Sequence, residues 1–183
     1  MTYIQSFDEF SAGVTGPSLA LYGAMNESLG GVQALITATQ KYIAEEKGRP
    51  HRVIQRLGED FAYIRWQDVW KPIKFLRQME GNPPIRLGVE GFRPDLVDDE
   101  NPARHYIAFV VMGYWLPYWL ALAVVYLWEI AGFVRYGGVW SKADVVSGLV
   151  GVRHGRAARR QGIEVLPELM ATELAAQPRR AGD

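Results

Sequence analysis

The chain has 183 residues, 20 basic and 20 acidic side chains, and no cysteine. Zero formal charge argues against a nucleic-acid partner, whose phosphates are met by a basic surface, and the missing cysteine removes disulfides, thiolate ligands and thiol nucleophiles together. Hydrophobic residues (49%) and charged ones (22%) are segregated along the chain, a pattern that points to an all-α membrane protein.

Residues 1–16 mix Gly, Ser and Thr with Tyr3, Phe7 and Phe10 and read as an extended N-terminal arm. The first 40 residues hold no Lys or Arg, the opposite of a basic secretory or mitochondrial leader. Residues 17–80 form an amphipathic helical region. Pro17 suits a first helical turn, and Tyr22, Met25, Leu29, Val32, Ile36, Thr39 and Ile43 recur at spacings of three and four, one stripe along a helix of about 28 residues. Gly23, Gly30 and Gly31 weaken it by roughly 1 kcal/mol each relative to Ala. The stripe therefore needs a partner, either the chain's own core or another subunit. Lys47-Gly48-Arg49-Pro50 stops that helix.

A second helix is expected from about residue 52, with Leu57, Phe61, Ile64, Val69, Ile73 and Leu76 as its apolar positions and Pro72 bending it. Trp66 and Trp70 beside Lys71, Lys74 and Arg77 suit either the lipid headgroup level or an ordinary core. Residues 81–101, from Gly81-Asn-Pro-Pro84 to the acids Asp98, Asp99 and Glu100, read as a Pro-rich acidic connector kept in water.

Residues 106–128 carry no formal charge over 23 positions, more than the roughly 20 needed to cross about 30 Å of hydrocarbon. A single kinked transmembrane helix over 102–136 follows. Asn101 and Pro102 suit its start, and Gly137-Gly138 its end. The alternative is a fully buried central helix. Pro117 interrupts the ladder, and Gly113, one turn earlier, gives the backbone room to bend. Tyr114, Trp115, Tyr118 and Trp119 fall at mid-depth, away from the headgroup level that Tyr and Trp prefer. Gly113, Trp115, Pro117 and Trp119 are therefore the candidate helix-packing residues, with Trp115 and Trp119 placed on one helical face.

Residues 137–183 supply a short helix opened by Ser141-Lys-Ala-Asp144, a basic patch and a tail. Arg153, Arg156, Arg159 and Arg160 are candidate contacts for anionic lipid headgroups, the alternatives being a solvated face or salt bridges within the protein. A last short helix is broken by Pro167.

The chain carries no recognisable catalytic machinery. His51, His105 and His154 are too widely separated for local metal-ligand spacing, and neither a phosphate loop nor a Gly-x-Ser-x-Gly elbow occurs. Glu129 reads as an interfacial anchor, and His105 as a capping or solvated residue rather than a haem or pigment ligand. No catalytic residue, metal or cofactor is expected, apart from bound phospholipid. The resulting expectation is an accessory subunit of a multi-subunit membrane complex, integral to a mitochondrial inner or bacterial cytoplasmic membrane. Energy-converting assemblies, a respiratory complex or an ATP synthase, lead on base rates alone. Its partners would be other membrane subunits and anionic lipids. The alternatives are a stand-alone anchor that recruits a soluble partner and a membrane enzyme of unrecognised site.

Overall fold

The computed structural model describes residues 31–64, 66, 83, 85–135 and 140–176. The N-terminal arm, the stripe positions Tyr22, Met25 and Leu29, the second helix's Val69, Trp70, Pro72, Ile73 and Leu76, and Gly137-Gly138 lie outside them. Among the described residues there are six α-helices and no strand, so the fold is all-α.

Helix α1 (Gly31–Glu45) buries Val32, Leu35, Ile36, Thr39 and Tyr42. Its stripe faces the chain's own core rather than an outside partner. The Thr39 hydroxyl, fully buried, donates to the Leu35 carbonyl at 2.8 Å. Gly48 makes the turn with φ 71, and Pro50 sits in the first turn of α2 (Pro50–Ala62), where its missing N–H costs nothing. Val53, Ile54, Leu57 and Phe61 bury one face of α2.

The second helix stops earlier than its apolar pattern suggests. Tyr63 adopts the left-handed conformation (φ 57), and its N–H closes on the Gly58 carbonyl. Ile64 then turns back into the core at 1% exposure. Two contacts fix this corner: the buried Tyr42 hydroxyl donates to the Asp60 carboxylate, and the Ile85 N–H donates to the Asp60 carbonyl at 3.1 Å. The connector is likewise more than a solvated link. Ile85, Leu87, Phe92 and Leu96 are all buried, whereas Asp98, Asp99 and Glu100 stay exposed.

The expected single helix over 102–136 is two helices, α3 (Pro102–Trp115) and α4 (Tyr118–Arg135). Steric pressure from a proline ring drives the preceding residue out of the helical region. Leu116 accordingly takes φ −91, ψ 154, and a new helix starts with the Ala121 N–H bonded to the Pro117 carbonyl. The chain reverses rather than kinks. Phe109 of α3 packs with Ala121 and Val125 of α4, and the His105 and Trp128 rings lie 6.3 Å apart. In a single crossing those two residues would mark opposite faces of a bilayer. No helix of the described residues is long and apolar enough to cross a membrane; α3 and α4 measure about 21 and 27 Å at 1.5 Å per residue.

What turns α3 inward is α5 (Lys142–Gln161), which begins at Ser141, whose Oγ accepts the Asp144 N–H at 3.1 Å. The short helix expected here continues through the basic patch to Gln161. It runs parallel to α3 at backbone contact. A Cβ on Gly151 would lie 2.6 Å from the Tyr106 carbonyl oxygen, and one on Gly155 would overlap the Val110 carbonyl. Gly113 is the reciprocal residue on α3, against the backbone of Val152. Helix α6 (Leu166–Glu173) starts with Pro167 in its first turn rather than being broken by it. The chain after α6 is stitched to the connector: the Arg93 N–H donates to the Leu174 carbonyl, and the Ala176 N–H to the Gly91 carbonyl, both at 2.8 Å.

Candidate functional site

The hairpin of α3 and α4 has an outer face, a tip and a base, each with different chemistry. With α3 sandwiched against α5 and α2, most of the large apolar side chains exposed among the described residues belong to α4. Trp119 (71% exposed), Leu127 (62%), Ile130 (51%), Tyr126 and Phe133 project from it. Their spacing of three, four and seven places them along one side of the helix. Trp115, Tyr118 and Trp140 extend the exposed apolar surface at either end of α4. The opposite side of α4, with Ala121 and Val125, is buried on Phe109 and Val152.

The four expected packing residues therefore separate. Gly113 is a contact glycine for α5, and Pro117 makes the reversal. Trp115 and Trp119 do not share a helical face, because the helix ends between them. Trp115 closes α3, with Tyr114 at 5.3 Å and Trp66 at 5.9 Å, while Trp119 projects from the first turn of α4.

The arginines also separate in role. Arg159 donates to the carbonyl oxygens of Tyr114 (3.0 Å) and Trp115 (3.2 Å), a cation on the unsatisfied C-terminal end of α3. Arg156 lies over the Tyr118 ring at 5.0 Å, within cation–π range. Arg153 is paired with Glu173 at 2.6 Å, and Arg160 is exposed. Arg156 and Arg159 thus sit at the hairpin tip among aromatics, and Arg153 belongs to a pair within the protein.

At the base, three helices bring together residues that sequence spacing keeps apart. His105 from the first turn of α3, Glu129 from α4 and Asp144 from the first turn of α5 place one ligand atom each within 4.8 Å of one another. His105 Nδ1 is 3.7 Å from an Asp144 carboxylate oxygen, and its Nε2 is buried without a hydrogen-bond partner. Glu129 is 6% exposed. Burial pushes the Asp144 carboxyl up to about 7, helped by the nearby charges of Asp98, Glu129 and Asp99. It raises Glu129 too, partly offset by the Ser141 backbone hydrogen bond, and depresses His105 to about 4. Among the described residues no Lys or Arg is paired with either carboxylate. Glu129 is thus not a lipid-facing anchor, and His105 is not a solvated cap.

A second buried histidine completes a different arrangement. Tyr106 and His154 are each 1% exposed, with the Tyr106 hydroxyl 2.8 Å from His154 Nδ1. The other ring nitrogen is 3.3 Å from Glu173. That carboxylate favours the proton on Nε2, which leaves Nδ1 to accept from Tyr106. This line spans α3, α5 and α6 and holds them in register. Comparison with protein-family models, with curated proteins and with solved structures gives no match for this chain.

Proposed function

We propose that this chain is a non-catalytic packing subunit of a membrane-associated assembly, which it joins through the outer face of α4. The observation that carries the reading is that face: Tyr126, Leu127, Ile130 and Phe133 form an exposed apolar row, which half-buried Leu122 and Ala123 link to exposed Trp119. Isolated exposed apolar residues are ordinary, but a contiguous row on one helix marks an interaction surface. The occupant that fits is apolar and helical, since a row at helical spacing seats in a groove between helices. Aromatic anchors supply most of the affinity in such contacts.

A second reading, a stand-alone anchor lying at the bilayer interface, is favoured by the tip. Trp115, Tyr118 and Trp119 beside Arg156 and Arg159 combine amphipathic rings with cations, as interfacial segments do.

The triple variant Trp119→Gln, Leu127→Gln, Ile130→Gln tests both. All three side chains point outward, so circular dichroism and thermal unfolding should match the wild type. In native membranes the wild-type chain should migrate with a large complex on blue-native electrophoresis, and the variant should not. Flotation of the purified wild type with protein-free vesicles would favour the anchor. Unchanged migration of the variant with the complex would overturn the packing-subunit reading.

A further inference from the structure

The base of the hairpin has chemistry that an interaction surface does not require. Two carboxylates, one of them 6% exposed, converge with an imidazole whose Nε2 has no hydrogen-bond partner. Buried carboxylates are ordinarily paired with a cation or hydrogen-bonded on both oxygens. Here the nearby charges on Asp144 are Asp98, Asp99 and Glu129, all of the same sign. Arg104 acts on His105 with the opposite sign, but it is outnumbered by the acids, so the meeting point of the three helices carries an excess of negative charge.

We propose that His105, Glu129 and Asp144 form a binding site for a divalent first-row transition cation of the zinc type. One nitrogen and two carboxylate oxygens are the donor set that such an ion accepts. Zinc–ligand bonds of about 2.0–2.2 Å place neighbouring donors roughly 3.3–3.6 Å apart in tetrahedral geometry. The three donors, already within 4.8 Å of one another, need to close by about 1 Å, a side-chain adjustment. Two negative charges from the carboxylates match the charge of the ion, and a fourth position remains for water.

The ligands come from the first turn of α3, the body of α4 and the first turn of α5, so the ion would clamp the open end of the hairpin. Phe109, whose ring lies 5.3 Å from that of His105, and Trp128 at 6.3 Å give the imidazole an apolar flank. Apolar neighbours of this kind limit the access of water to a ligand. The proposal is independent of what docks on α4.

The full chain, stripped with a chelator and dialysed, is titrated with Zn2+ by calorimetry and with Co2+ by visible absorption. One ion should bind per chain. The Co2+ spectrum should show the intense d–d bands of a four- or five-coordinate site. His105→Gln, Glu129→Gln and Asp144→Asn should each weaken Zn2+ binding at least tenfold, while Asp95→Asn, on an exposed carboxylate paired with Arg93, should leave it unchanged. Binding as tight as wild type by the variant that carries His105→Gln, Glu129→Gln and Asp144→Asn together would place the ion elsewhere and overturn the assignment. So would a wild-type chain whose Co2+ spectrum is that of the hexa-aqua ion, a result that does not depend on any variant folding.

Discussion

Gly155 of α5 lies against Val110 of α3 so closely that the carbonyl oxygen of Val110 occupies the space a β-carbon would need. In an exposed helix interior, Gly→Ala gains about 1 kcal/mol of propensity. Here overlap with an immobile backbone atom decides the sign. Gly155→Ala should destabilise by about 1–3 kcal/mol, as overpacking does. Gly132→Ala, on α4 with open space around it, should be neutral or stabilising. Urea unfolding of the two variants side by side checks both signs.

A pair of charge insertions separates the hairpin from a single span. Val125 is 1% exposed and packed on Phe109, Ala121 and Val152, whereas Leu127, two residues on, is 62% exposed. Val125→Arg should unfold the chain, since an unpaired buried charge costs several kcal/mol. Leu127→Arg should change stability by about 0.5 kcal/mol or less. A continuous transmembrane helix would suffer similarly from both. Circular dichroism of the two purified variants discriminates.

The Tyr106–His154 contact predicts both a packing cost and a pH dependence. Tyr106→Phe removes the hydroxyl and leaves His154 Nδ1 buried without a donor, a loss of about 1–3 kcal/mol. Burial holds the pKa of His154 below its usual 6.5, Glu173 opposing in part. The unfolded chain therefore takes up this proton first as the pH falls. Stability from a neutral His154 is complete above about 6.5 and declines below it. His154→Gln, whose side chain can accept from Tyr106 but does not titrate, lacks that decline. The stability advantage of the wild type over this variant should shrink between pH 7.5 and 5.5, measured as urea midpoints at each pH.

Arg159 should be worth more to the fold than its neighbour. Both side chains are exposed, but Arg159 caps the carbonyls of Tyr114 and Trp115. Arg159→Gln should cost about 0.3–1 kcal/mol, the range for a surface cation at a helix C-terminus, and less at high salt. Arg160→Gln should leave thermal unfolding unchanged. If the exposed end of α5 meets anionic lipid, Arg160→Gln should instead weaken sedimentation with anionic vesicles.

Local chemistry marked several elements in the sequence correctly. Pro102 sits in the first turn of α3, Gly48 ends α1, and Ser141 caps α5, because each acts on backbone groups within a turn of itself; Pro50, expected only to stop α1, also opens α2 two residues before the expected start. The stripe of Val32, Ile36 and Thr39 was legible for the same reason. The apolar run 106–128 was legible as apolar, but Pro117 is compatible with a kink or a reversal. What decides between them is the contact of Gly151 and Gly155 with carbonyls of α3, forty-five residues earlier in the chain, and no local signal announces it. The cluster of His105, Glu129 and Asp144 was hidden by the same step. In a single kinked span His105 and Glu129 stand at opposite ends; folded as a hairpin, they become neighbours. The left-handed Tyr63 had no sequence signal at all, since a tyrosine rarely adopts φ near 57.

Direct contact between α3 and α5 leaves α4 outboard. Its inner attachment is the small cluster around Ala121 and Val125, and its ends are the Leu116-Pro117 reversal and the link into α5. Local opening by α4 therefore breaks fewer contacts than loss of α3 or α5, and its amides should exchange with solvent hydrogen well before theirs. Such an opening uncovers Phe109 and Val152 without dismantling the glycine-packed pair. The same motion parts Glu129 from His105 and Asp144, so whatever holds those three together also sets how often the flap lifts.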